Sequence, residues 1–368
     1  MSTLFTPVKV GPHALSHRVV LAPLTRMRAE DGGVPGPLMA EYYAQRTSTG
    51  ALLIGEATMV APNGSGYHGA PGLHDDSQIA GWQLVTDAVH AKGGKIFLQL
   101  YHAGRQSNEV LQPGRNQPVG PSAIPHGGVA HTRAGWVDNT PNRALEIEEI
   151  ADLVESFRRA AERGLEAGFD GVELHSANGY LLDQFLQDGS NKRTDKYGGS
   201  FENRARFLLE ATRAVISVWG SDRVAVRLGP SGSFGDMSDS DPHGLFTYVA
   251  TELDKLNLAY LHLIEPRVKG ASEDETRDPN PVASQLIRKV YSGTIIAAGG
   301  FKGETAEAII EAGDADLIAF GRDFIANPDL PERLRRKLPL NPYDRETFFG
   351  WTDVGYIDYP FHEERAAA

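Results

Sequence analysis

The chain has 368 residues, 41% hydrophobic and 23% charged, with a formal net charge of -12, proportions that suit one well-packed core and argue against nucleic acid, whose phosphates demand clustered Lys and Arg. No cysteine occurs, which removes disulfides, thiolate nucleophiles, and Cys-ligated zinc and iron–sulfur clusters. Met1 to Pro7 carries no basic stretch leading into an apolar one, and nowhere do about 18 apolar residues run together, so the expectation is a cytoplasmic protein with no membrane partner.

The first element is a small hairpin, Val8 and Val10 facing Ala14 to Ser16 across Gly11-Pro12, expected to plug the floor of a barrel formed by the later elements. Eight short apolar, often β-branched runs come next: Arg18 to Ala22, Leu52 to Glu56, Ile96 to Leu100, Gly171 to His175, Val224 to Leu228, Tyr260 to Ile264, Ile295 to Ala298 and Leu317 to Phe320. Amphipathic stretches separate them, clearest at Ile147 to Ala167, Arg204 to Val218 and Thr305 to Ala312, where Gly313 is a stop signal. Between the third run and Ile147, Asn108 to Arg143 is rich in Gly, Pro and His, lacks a helical period, and reads as a lid.

Eight such units predict an α/β fold, a single (β/α)8 TIM barrel with an N-terminal β-hairpin plug and a long lid loop after strand three. Residues 1–368 would form one domain, with the lid over about 108–143 and a frayed tail over about 362–368. An open doubly wound sheet would need a phosphate fingerprint after an early strand. The G-x-G-x-x-G string from Gly64 to Gly69 runs into Pro71-Gly72 instead of a helix, so it offers no such site.

A barrel of this kind places its chemistry at the carboxyl ends of the strands. The residues there are Thr25, Ala57, Gln99, His175, Arg227, Glu265, Gly299, Gly300, Gly321 and Arg322. Gly299-Gly300 and Gly321-Arg322 follow strands seven and eight, where bare backbone amides and a guanidinium fork suit a phosphate; a plain βα turn is the alternative. Gln99 can donate and accept along the pyrimidine edge of a flavin, Arg227 can neutralise charge that builds there, and Thr25 can touch the ring; otherwise Gln99 and Arg227 satisfy each other inside a barrel layer.

In His175-Ser176-Ala177-Asn178-Gly179-Tyr180, two donors, His175 and Asn178, can grip one carbonyl or nitro oxygen while Tyr180 protonates the neighbouring carbon. Taken singly, such residues serve more often as a core histidine, a helix N-cap and a packing tyrosine. No metal site is expected: Asp236, Asp239 and Asp241 lack the glycine and terminal glutamate of a calcium loop, and no H-E-x-x-H occurs. Glu146, Glu148 and Glu149 open a helix.

At these residues the chain resembles the old yellow enzyme family of FMN-dependent ene-reductases. Further carriers of the likeness are Ala22-Pro23-Leu24-Thr25-Arg26, Gly69-Ala70-Pro71-Gly72, Asn191 to Asp195 with Tyr197-Gly198-Gly199-Ser200, Glu202-Asn203-Arg204, Gly355-Tyr356 and Asp358-Tyr359-Pro360, so it spans nearly the whole chain. The resemblance implies that Pro23, Thr25, Ala57, Gln99, Arg227, Gly300, Gly321 and Arg322 contact FMN. It gives His175 and Asn178 the activating oxygen and Tyr180 the proton, and it puts Tyr67 and Tyr356 along the substrate pocket. The string from Asn191 to Arg204 is assigned to local structure, its charges pairing among themselves. Thr25 stands where one branch has cysteine, Asn178 where some relatives have histidine, and Tyr101 where several have tryptophan.

The implied activity is a ping-pong cycle. NADPH or NADH reduces FMN from the same pocket and leaves, and an enone, nitroalkene or similar small molecule then takes the hydride. Two rivals are a flavin-free phosphate-binding barrel with isomerase or aldolase chemistry, which lacks a strand-end Lys, and a non-catalytic flavin-binding protein. Monomer and homodimer both stay open.

Overall fold

Parallel strands with helices on their outer face dominate the computed structural model of the chain, which describes residues 2–269, 272–273 and 281–362. The barrel strands are β1 Val19–Leu21, β2 Leu52–Met59, β3 Lys95–Tyr101, β4 Gly171–Ser176, β5 Val224–Leu228, β6 Tyr260–Ile264, β7 Ile295–Ala298 and β8 Leu317–Phe320. Their order is β4-β5-β6-β7-β8-β1-β2-β3, and pairing of β3 with β4 closes the ring. The expected (β/α)8 barrel is therefore present, with β5 to β8 at the limits read from sequence. These strands are nearly continuous apolar runs because helices cover one face and the barrel interior the other.

The N-terminal hairpin pairs Val8 with Leu15 and Val10 with His13. Val10 and Leu15 pack in one buried cluster with Phe97, Ala225, Tyr260, Ile296 and Leu317, inward-facing residues of five barrel strands, so the hairpin fills the floor as expected. Outside, the helix Ile147–Glu166 buries Ile150, Leu153, Phe157, Ala160, Ala161 and Gly164, the three-and-four spacing of one helical stripe. Its entry is tied by the Glu146 N–H donating to the Glu149 carboxylate at 2.8 Å. The helix Phe201–Trp219 is capped by Ser200, whose Oγ accepts from Asn203 N at 3.3 Å, and Phe207 meets Phe157 edge to face.

The lid over 108–143 is more ordered than its composition suggests. Val119–Gly120 pairs in parallel with Arg143–Ala144, and Val129–Thr132 forms an antiparallel hairpin with Gly135–Asp138. After β8 the chain forms the helices Arg322–Ala326 and Leu330–Arg336, and the segment that follows brings Phe348 and Phe349 to the barrel mouth. The tail expected to fray lies outside the described residues from 363 onward. Among the described residues no helix is long and apolar enough to cross a membrane.

Candidate active site

Strand alternation decides which side chains reach the barrel mouth. Gln99 sits in register with Ala57 on one side and Glu173 on the other, and Arg227 lies between His175 and His262. Ala57 reaches this row through an irregularity: Leu52 and Ile54 face inward, so an unbroken β2 would aim Glu56 at the cavity. A register shift between Ile54 and Ala57 adds one residue and swaps the faces. Glu56 instead accepts from the Arg26 N–H at 3.1 Å, and burial pushes its carboxyl up to about 7.

The mouth holds a cavity of about 370 Å³. Pro23, Thr25, Ala57, Tyr67, Gln99, His175, Asn178, Tyr180, Arg227, Gly299, Gly300, Gly321 and Arg322 all line it. Tyr356, expected there too, is not among the lining residues. Its ring stacks on Tyr42 at 4.2 Å and lies under the guanidinium groups of Arg26 and Arg28, a fully buried position behind the cavity wall.

Asn178 adopts the left-handed backbone region at φ 55, between β4 and the helix Leu181–Leu186, whose N-cap is Tyr180. It is therefore no N-cap, and the tight turn gathers His175, Asn178 and Tyr180 along one wall. Burial, with Arg227 and His262 nearby, holds the His175 imidazole well below its ordinary value, and its Nδ1 has no partner among the described residues. It is a neutral ring. The Tyr180 hydroxyl donates to that of Tyr67 at 2.9 Å, and burial together with Tyr67 and Tyr101 pushes the Tyr180 phenol far up. A phenol so placed stays protonated at neutral pH.

Burial lowers the Arg227 guanidinium while Glu173 opposes the change; it remains cationic, and its Nε finds no partner among the described residues. At the far side of the mouth, Gly299 and Gly300 have φ of 117 and 66, conformations that favour glycine. A Cβ on Gly300 would stand 3.8 Å from Arg322 Nη2, inside the space between the two loops that end β7 and β8. The pair thus leaves an open backbone cradle facing a guanidinium.

Several lining residues carried no signal in the local sequence. Val129 and Trp136 come from the lid hairpin, Phe234 from the loop after β5, and Phe348 and Phe349 from the C-terminal segment. The Trp136 ring lies 6.2 Å from Tyr67, 4.8 Å from His131 and 5.4 Å from Phe349, forming an aromatic rim. Only the unusual length of the loop pointed this way.

Other charged strings are spent on structure. Asp239 pairs with the buried Arg204, and Asp236 accepts from Gly127 N at 2.8 Å. Arg193 pairs with Asp195 at 2.6 Å, and Glu265 accepts from Ser284 N at 2.9 Å, tying the start of the helix Ser284–Ile287.

Comparison with known proteins gives three kinds of match. The sequence model of the NADH:flavin oxidoreductase / NADH oxidase family matches residues 3–341. The chain is 46% identical to 12-oxophytodienoate reductase 7 of Oryza sativa subsp. japonica, over 97% of this chain and 94% of that protein. Among solved structures it is similar to a morphinone reductase in complex with tetrahydroNAD, with a TM-score of 0.91 and 46% identity over 97% of each chain. It is also similar to the old yellow enzyme homologue from Zymomonas mobilis, with a TM-score of 0.92 and 43% identity over 97% of this chain and 99% of that one.

Proposed function

The chain belongs to the NADH:flavin oxidoreductase / NADH oxidase family, that of the old yellow enzymes, and from that premise we propose that its whole length forms one FMN-binding unit. In this reading it is an NAD(P)H-dependent ene-reductase acting on small α,β-unsaturated carbonyl or nitro compounds. The single observation that carries the reading is that the phosphate-type loops, the Gln99 and Arg227 pair and the His175, Asn178 and Tyr180 wall all open into one cavity. A buried cation with an unpartnered Nε and a cradle of bare backbone fit a planar heterocycle with an anionic tail.

FMN, when bound, would supply the hydride chemistry that links NAD(P)H to the activated double bond. Gly299, Gly300, Gly321 and Arg322 would hold its phosphate, while Pro23, Thr25, Ala57, Gln99 and Arg227 would hold its ring. His175 and Asn178 donate hydrogen bonds to the substrate's carbonyl or nitro oxygen and stabilise the negative charge that gathers there. The neutrality of His175 suits this role, since it can donate without carrying a permanent charge into the site. Tyr180 delivers its proton to the substrate carbon next to the activating group, and the Tyr67 hydroxyl, which accepts from Tyr180 at rest, turns to donate to the oxygen left behind. Tyr67, Trp136 and Phe349 exclude water from above.

Because one cavity serves both substrates, the two half-reactions must alternate. Anaerobic stopped-flow mixing with NADPH or NADH tests this order: the flavin band bleaches before any enone is added and returns when cyclohexenone is then mixed in. A band that stays unbleached by either nucleotide would reject the cycle.

A further inference from the structure

We propose that Glu173, which does not line the cavity, is a positioning residue for the pyrimidine end of FMN: it fixes which group Gln99 offers and sets the potential at which the bound cofactor accepts electrons. The inference rests on the FMN-binding reading above. Glu173 is fully buried on β4, and both its oxygens are used. Oε1 accepts from Gln99 Nε2 at 2.6 Å, and Oε2 lies 2.9 Å from His262 Nδ1.

An ionised carboxylate only accepts hydrogen bonds, so its two partners lose their freedom of choice. Gln99 must turn its NH2 toward Glu173, which leaves the amide oxygen as its group for a cavity occupant. That oxygen suits the imide N–H on the pyrimidine edge of a flavin. His262 must carry its proton on Nδ1, which leaves Nε2 as a bare acceptor, and Nε2 indeed has no partner among the described residues. Burial alone would push the Glu173 carboxyl up, but His262, Arg227 and the Gln99 amide outweigh it and keep it below its ordinary value.

Charge balance points the same way. Arg227 is a buried cation one strand from Glu173, and removing the carboxylate leaves it uncompensated. A buried negative charge close to the cofactor opposes the gain of electrons there, because Coulomb terms are weakly screened in such a site.

The test uses Glu173→Gln, which keeps the shape, removes the charge, and frees the Gln99 amide to flip. In the holoenzyme, spectroelectrochemical titration is expected to show the FMN midpoint potential shifted to a more positive value. In the apoprotein, wild type is expected to bind 3-methyl-FMN, which lacks the imide proton, about tenfold more weakly than FMN. In the variant that ratio falls toward one. An unchanged potential together with an unchanged ratio would overturn the proposal, since a merely structural glutamate would alter stability and neither of these. If Glu173→Gln does not fold, Glu173→Asp decides: it retains the charge but withdraws it by one carbon, so the potential stays near wild type while the ratio narrows, and a wild-type ratio overturns the idea. Wild-type apoprotein that binds neither flavin would instead reject the FMN reading itself.

Discussion

Tyr180 and Tyr67 share a hydrogen bond at 2.9 Å, and their roles separate experimentally because only the reaction of the enone needs a proton. Tyr180→Phe is expected to slow the oxidative half-reaction by about 10²- to 10⁴-fold while flavin reduction by NAD(P)H stays nearly intact. Equal loss in both halves, resolved by stopped-flow, would contradict the assignment. His175→Ala is expected to weaken phenol binding and lower enone reduction by about 10²-fold, as for loss of an oxyanion donor. A third residue acts on stability. His102 accepts from Gly104 N at 3.0 Å through Nδ1, and burial lowers its ring from 6.5 to about 3. Its contribution is present above the unfolded value and is lost as pH falls, because the unfolded chain then takes a proton that the folded ring refuses. The slope is up to about 1.4 kcal/mol per pH unit. His102→Gln is expected to flatten the pH dependence of the unfolding midpoint between roughly pH 4 and 6; an unaltered slope would refute this. That His175, Arg227 and Gly300 would meet at the barrel mouth was legible in the sequence, because each lies at or just past the carboxyl end of an apolar run. Glu173 was not, since it sits in the middle of its strand and its partners lie on two others. Tyr356 misled for the converse reason: its motif was readable, but its stacking on Tyr42 depends on how the last segment folds back.

Among the elements, the lid hairpin contributes Val129 and Trp136 to the cavity lining. Trp136 is 46% exposed and still lines the site, so it can present an apolar face to a bulky ligand. Trp136→Ala is expected to lower kcat/KM about tenfold for a two-ring enone, mainly through KM, with cyclohexenone and FMN content little changed. Matching losses for both substrates would contradict the role. The hairpin escaped the sequence because its strands, Val129–Thr132 and Gly135–Asp138, are too short to establish a period, and it gains order by docking. His68 N donates to His131 O at 2.7 Å, and Ala130 is fully buried. The register shift in β2 was equally hidden. Alternation along Leu52 to Glu56 aims the glutamate inward, and only pairing with β3 reveals that Ala57 takes that place.

At the scale of the whole molecule, closure of the ring makes both ends of the chain necessary. Ile318 pairs with Val19 and Phe320 with Leu21, so β8 completes a sheet that β1 begins. That closure was legible, because eight βα units leave few other arrangements. The route of the C-terminal segment was not. Arg26 and Arg28 hold it through the carbonyls of Thr347, Phe348, Val354 and Gly355, and carbonyl acceptors carry no residue identity. The buried Arg204 and Asp239 pair joins the helix Phe201–Trp219 to the loop after β5, and removing one partner would leave the other charge buried and unpaired. Asp239→Asn is expected to destabilise the protein by about 3–5 kcal/mol, read as a lower denaturant midpoint at saturating FMN. A change below about 1 kcal/mol would show that the pair is solvated rather than buried. Whether this barrel mouth is built to hold FMN is decided by the visible spectrum of the purified protein before and after incubation with FMN and gel filtration. The expected product is a yellow protein carrying about one flavin per chain. Protein that stays colourless after that treatment would contradict it.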